Sequence, residues 1–278
     1  MTEKYEMLTK APHLFDEATR VTAGDSRWQG WTSDDYWAFV GPFGGATAAT
    51  ILRALMEHPQ AAGKPLALTV HYSAPIAQGD FDLDVRLVKA NRSTQHWCVE
   101  LTQAGGDVAT LATAVLAERR PSWSHQPAPF PQTKPFEQTL PYAKVAAPWV
   151  KQYDFRFVEG DPDFGGKPET MPASAFSKLW IADRAPRKID ALSLMSMSDA
   201  FFARVFHARR ELMPFGTVSL TTYFHADAED LAAEDITRVL AVADGRIFHK
   251  SYGDQNGELW SPSGRLLATT TQIAYFKA

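Results

Sequence analysis

The chain has 278 residues, 45% of them hydrophobic and 22% charged, an ordinary composition for a soluble globular protein with a sizeable core. Its 28 basic and 32 acidic residues give a net charge of -4, which offers no general attraction to nucleic acid or to an anionic membrane surface. The chain has no run of about 18 apolar residues and no basic-then-apolar leader in its first twenty, and its lone Cys98 excludes an internal disulfide, which together fit a cytoplasmic protein.

The first strong periodicity runs from Gly44 to His58. Ala48, Ile51, Leu52, Leu55 and Met56 fall on one face of a helix, and Pro59 ends it. Strands are predicted over 66–74, 80–90, 94–104 and 107–119. Asn91-Arg92-Ser93 and Gly105-Gly106 supply turns for antiparallel hairpins. Cys98 sits within His96–Leu101 and reads as a small buried side chain in a strand. Seven prolines between Pro121 and Pro148 argue against helix or central strand and predict a linker. Two strands, about 152–158 and 176–183, precede a second helix over Ile189–Ala208. That helix carries Leu192, Leu194, Met195, Met197, Phe201, Phe202, Val205 and Phe206. It is apolar nearly all round and should be enclosed by protein. Strands over 216–226, 236–243, 246–253 and 265–276 complete the chain.

These elements repeat. Leu68, Thr69, Tyr72 and Ala74 align with Leu220, Thr221, Phe224 and Ala226 at an offset of 152, and Arg86 with Arg238. Leu111-Ala112-Thr113 aligns with Leu267-Ala268-Thr269 at 156. A longer hairpin loop over Gly253–Gly264 would explain the drift. Each copy is thus a helix followed by antiparallel strands. The natural way to bury both is to curl each sheet around its helix and pair the two units through their sheets. The organisation expected is residues 1–120, a Pro-rich linker over 121–148, and residues 149–278.

Several common motifs are missing. HExxH, CxxC and GxSxG do not occur. Gly160–Lys167 resembles a phosphate loop, but its Gly-Lys spacing is off by one and Pro168 follows the lysine, so it reads as a surface loop. Asn91-Arg92-Ser93 matches a glycosylation sequon but reads as a hairpin turn. The eight histidines show no ligand spacing, and no metal site is expected.

Asp199 is the most informative residue. A carboxylate inside the most apolar helix is costly unless it has partners. It is either buried, with a pKa raised into the range of a general base, or exposed on a polar stripe with Ser196. Thr217 at the start of one strand and Gln272 in the last are the polar residues able to partner it. Each by itself is an ordinary strand residue.

Ser198-Asp199-Ala200-Phe201-Phe202, the segment Gly216–His225 and Ala268–Gln272 resemble, in order, three motif segments of the TesB-like acyl-CoA thioesterases II. Phe43-Gly44-Gly45 resembles the start of the first helix of that family, and Ser177–Ile181 the strand before the second. Ser219 and Leu220 depart from the Asp-His pair of some relatives. The resemblance implies an α+β double hotdog fold, two helix-plus-antiparallel-sheet repeats fused in one chain. It implies hydrolysis of acyl-CoA thioesters by a water held by Asp199, Thr217 and Gln272, and a homo-oligomer, a dimer of double hotdogs. CoA would be part of the substrate, with no cofactor or metal needed. Amides at Gly44 and Gly45, at a helix N-terminus, are candidates for binding the oxyanion or substrate.

Two other readings remain open. A hotdog dehydratase or hydratase wants an acid–base pair of Asp and His, but His207 lies eight residues beyond Asp199 and about 80° around the helix axis. A non-catalytic acyl-CoA binding module is the other. Within the repeat, Pro65 stands at the place of Thr217, Leu116 at that of Gln272, and Thr47 near that of Asp199, so one working site per chain is expected.

Overall fold

The computed structural model describes residues 12–24, 27–144, 147–164 and 174–277. The leaderless reading of residues 1–11 and the end of the Gly160–Lys167 segment, residues 165–167, lie outside the described residues. In chain order the elements are α1 (Leu14–Ala18), β1 (Thr22–Ala23), β2 (Trp28–Trp31), α2 (Gly44–Glu57), β3 (Lys64–Tyr72), β4 (Asp80–Ala90), β5 (Thr94–Thr102) and β6 (Val108–Ala117). They continue with α3 (Pro148–Lys151), β7 (Tyr153–Glu159), β8 (Ser177–Asp183), α4 (Ala191–Met197), α5 (Arg204–Arg209), β9 (Phe215–Phe224), α6 (Ala228–Glu234), β10 (Arg238–Asp244), β11 (Phe248–His249), β12 (Tyr252–Trp260) and β13 (Leu266–Phe276).

The strands form one antiparallel sheet in the order β1-β2-β4-β5-β6-β3-β9-β13-β12-β10-β8-β7, with β11 on β12. The order is a near palindrome about the β3–β9 seam. There Thr69 faces its repeat counterpart Thr221, and the two hydroxyls lie 2.9 Å apart. This is the double hotdog architecture that the resemblance implies, with the halves joined edge to edge. The short strand β2, which precedes the first helix as β8 precedes the second, escaped the sequence reading.

Strand register corrects the repeat. Thr271 lies opposite Asn256 as Thr113 lies opposite Cys98, which sets the offset at 158 for these strands and leaves 152 only in β3 and β9. The six additional residues of the second copy therefore sit between β9 and β10, where α6 is inserted. The expected loop over Gly253–Gly264 is mostly strand β12, and the Arg86–Arg238 match belongs to the wrong register. Gln272 corresponds to Ala114, two residues from the predicted Leu116.

The core lies between the sheet and the packed pair α2 and α4. Ala48, Ile51, Leu52 and Leu55 are buried as expected, whereas Met56 is exposed. Burial of α2 extends around most of its circumference because α4 covers its other side. Its Gly, Ala and Thr residues permit that approach: a Cβ at Gly45 would lie 2.4 Å from the Ser196 carbonyl oxygen.

The second helix is not continuous over 189–208. Asp190 caps α4, accepting from the Ser193 N–H at 2.8 Å. The helix then tightens, with Asp199 N–H donating to Ser196 C=O and Ala200 N–H to Met197 C=O, and chain direction changes before α5. The break sends Phe202 and Phe206, which one helix would align, into different clusters. Phe202 packs against Tyr142, Trp149, Phe155 and Phe157, and Phe206 against Phe164 and Phe215. The buried Arg204 guanidinium donates to the Phe202 carbonyl at 3.1 Å, satisfying an acceptor that the break frees.

The Pro-rich segment carries no long element but is packed down rather than loose. Phe130 and Phe136 meet Trp260 and Trp180 edge-on, covering an apolar cluster on the outer face of the second half. Gln126 pins it to β13 by accepting from the Leu266 N–H at 2.8 Å.

Candidate active site

The break after α4 places Asp199 at the turn rather than inside a helix, directed at the first turn of α2. A Cβ on Gly44 would lie 2.7 Å from Asp199 Oδ2. Glycine there lets the carboxylate meet the α2 backbone, and the Gly45 N–H interacts with it. The helix N-terminus of α2 favours a negative charge; the C-terminal end of α4 does not. In the first half of the chain Pro65 and Ala114 take the places of Thr217 and Gln272, so no second set of these groups forms there.

Two strands bring the remaining groups. Thr217 is near the start of β9, and Gln272 lies on the adjacent β13, which pairs with it. The Gln272 amide nitrogen donates to Asp199 Oδ1 and to Thr217 Oγ1, both at 2.7 Å. One NH2 group has two hydrogens, so both are used. All three residues line a cavity of about 370 Å³.

Asp199 is only part-exposed, through the edge that opens on the cavity, and protein surrounds the rest. Burial raises its pKa from 3.8 to about 7, while the hydrogen bonds from Gln272 and Gly45 pull the other way. Of the two alternatives in the sequence, the enclosed carboxylate with a raised pKa is the nearer one: Asp199 keeps only its cavity-facing edge open, and Ser196 is itself buried rather than on an exposed polar stripe.

Tyr72 is a site residue that the sequence reading used only as a repeat marker. Its hydroxyl donates to the Gly44 carbonyl at 2.8 Å and so holds the start of α2 against the end of β3. Burial, and secondarily the nearby Asp199, raises its pKa, so it remains a neutral phenol. The repeat places Phe224 at the equivalent position, and that contrast was the available signal. The Gly45 amide expected to serve an oxyanion is engaged with Asp199 instead.

Aromatic and aliphatic residues make up most of the cavity wall: Phe43, Trp149, Phe164, Phe202, Phe206 and Phe215 among them. No histidine lines it among the described residues. His207 is buried elsewhere, beside Arg204, with backbone partners at Gly160 and Phe202. Burial drives its pKa far down, so it is neutral. It cannot pair with Asp199 as a dehydratase dyad would require.

Fold and comparisons together define a thioester hydrolase of the hotdog class. The model of the acyl-CoA thioesterase N-terminal domain matches residues 33–117, and that of the acyl-CoA thioesterase C-terminal domain matches residues 123–276. The chain belongs to this acyl-CoA thioesterase family, whose solved relatives include TesB-like double hotdog proteins. A hot dog fold protein of unknown function from Alicyclobacillus acidocaldarius is 39% identical, with a TM-score of 0.90 over 96% of this chain and 99% of the other. The acyl-CoA thioesterase II TesB2 of Mycobacterium marinum is 18% identical with a TM-score of 0.74, covering 95% and 98%. The tesB protein of Mycobacterium avium subspecies paratuberculosis is 16% identical, also with a TM-score of 0.74, covering 95% and 98%. No curated protein matches the sequence.

Proposed function

We propose that the chain hydrolyses acyl-CoA thioesters to a free carboxylic acid and CoA, with Asp199 as general base and Thr217 and Gln272 holding the water. The observation that carries this reading is the Gln272 amide bridging the Asp199 carboxylate and the Thr217 hydroxyl at the wall of an apolar cavity. Gln272 fixes the carboxylate and hydroxyl relative to each other. Asp199 retains acceptor capacity, and Thr217 retains its own O–H to orient a water between them.

In the reaction, the water oxygen bonds to the thioester carbonyl carbon as its proton passes to Asp199. The carbonyl electrons become an oxyanion, for which the Gly44 N–H in the first turn of α2 is the assigned backbone donor, Gly45 being occupied. Collapse breaks the C–S bond, and the proton on Asp199 passes to the leaving sulfur. The step balances without a metal or cofactor, CoA being part of the substrate. The acyl group lies among the aromatic side chains, and CoA extends outward from the mouth.

The domain division at 1–120, 121–148 and 149–278, a homodimer of double hotdogs and a cytoplasmic site of action in fatty acid metabolism belong to the same reading. Among the described residues no helix is long and apolar enough to cross a membrane. The test is thiol release from a panel of acyl-CoA substrates by wild type and Asp199→Asn. Loss of the base should lower kcat by roughly 10²–10⁴-fold. Full turnover in the variant, or no thiol release from any acyl-CoA by wild type, refutes the reading.

A further inference from the structure

Gln272 forms part of the wall between two cavities. On one side is the substrate cavity. On the other is a small one of about 20 Å³, also lined by Arg204, Phe248, Gly253, Gln255 and Ala274. That volume accommodates about one water molecule.

Gln255 faces into this second space. It is the cross-strand partner of Gln272, opposite it in the β12–β13 ladder, and its side chain points to the same inner face. It is 3% exposed, yet neither its amide oxygen nor its amide nitrogen has a protein partner. The polar neighbours are committed elsewhere. Arg204 donates to the carbonyls of Phe202 and Ala175 and to the Ser177 hydroxyl. The Asp254 carboxylate accepts from the Arg246 and Ile247 N–H groups and from Asn256. A buried primary amide with two unpaired ends and a water-sized space beside it is the arrangement in which proteins hold an internal water.

Gln272 can share such a water. Its two amide hydrogens point to Asp199 and Thr217, so its oxygen must accept from a different direction. A turn of the amide by half a revolution would set that oxygen against the carboxylate and remove both donated bonds. We propose that Gln255 and Gln272 share one buried water in the second cavity, and that Gln255 is thereby a positioning residue that locks the Gln272 amide in its working orientation. This inference rests on the proposed roles of Asp199, Thr217 and Gln272 and extends them outward by one hydrogen-bonded layer.

The experiment is Gln255→Leu, assayed for kcat, KM and the pH dependence of kcat alongside wild type and Asp199→Asn. Loosening Gln272 should reduce kcat on the order of tenfold with KM little changed. It should also move the acid limb of the profile upward, because a wandering Gln272 no longer steadies the Asp199 carboxylate. A purely structural contribution from Gln255 would lower stability without moving that limb. Unchanged kcat and an unmoved limb in Gln255→Leu, with Asp199→Asn inactive, overturn the proposal and leave the catalytic reading standing. Full activity in Asp199→Asn overturns both. Should Gln255→Leu fail to fold, a high-resolution crystal structure of the wild-type protein decides: an ordered water within hydrogen-bond distance of both amides supports the proposal, and a dry cavity overturns it.

Discussion

Asp199 should cost the folded chain stability at the pH where it serves as a base, and removing its charge should show this. In the folded protein burial holds its proton up to about pH 7; in the unfolded chain the proton leaves near 3.8. Between those values the unfolded state binds fewer protons, so each rise in pH favours unfolding. The stability associated with the raised pKa is thus complete below about pH 4 and lost by about pH 7. Three pKa units correspond to a ceiling of about 4 kcal/mol. Between pH 5 and 8 about two of them are traversed. Since the carboxylate opens on a cavity that water enters, about 2 kcal/mol is the expected size. Asp199→Asn abolishes this titration. Urea unfolding of both proteins at pH 5 and pH 8 gives the difference of differences, in which other titrating groups cancel, including Asp183, whose pKa burial raises to about 6. The pH-independent effect of losing a hydrogen bond to Gln272 cancels too. The advantage of the variant should grow by about 2 kcal/mol from pH 5 to pH 8. Equal differences at the two pH values would refute the placement of a raised, buried carboxylate at this position.

Two further outcomes follow from the same geometry. The pH profile of wild-type kcat/KM should rise with pH through an acid limb centred near 7, where Asp199 loses its proton; a flat profile between pH 5.5 and 8 would remove Asp199 as the base. Gly45→Ala should destabilise the chain by about 1–3 kcal/mol, since its Cβ would strike the Ser196 carbonyl and the Phe43 ring; a thermal melting midpoint equal to wild type would show that the α2–α4 contact can relax.

The local elements were legible because their causes are local. The face of α2 follows from Ala48, Ile51, Leu52 and Leu55, and its end from Pro59. The enclosure of the second helix follows from its unbroken apolar composition. The internal repeat was visible where strands of the two copies meet, because Thr69 and Thr221 occupy equivalent places on either side of a pseudo-twofold axis.

The same apolar uniformity hid the break at Ser198–Ala203. With no Gly or Pro to mark it, the turn results from Phe202 and Phe206 being drawn into separate aromatic clusters, a competition among residues distant in sequence. Register was hidden for a similar reason, since a shift of six residues between β9 and β10 leaves the alternation of each strand intact. Sequence by itself therefore determined which residue types were available for chemistry, namely a carboxylate in apolar company, a threonine and a glutamine in strands. Only the tertiary structure decided that one amide joins the other two, because Asp199 and Gln272 stand 73 residues apart and meet through the turn after α4 and the pairing of β9 with β13. It alone also revealed Gln255, since a buried amide without a protein partner is a property of packing and cannot be read from the order of residues.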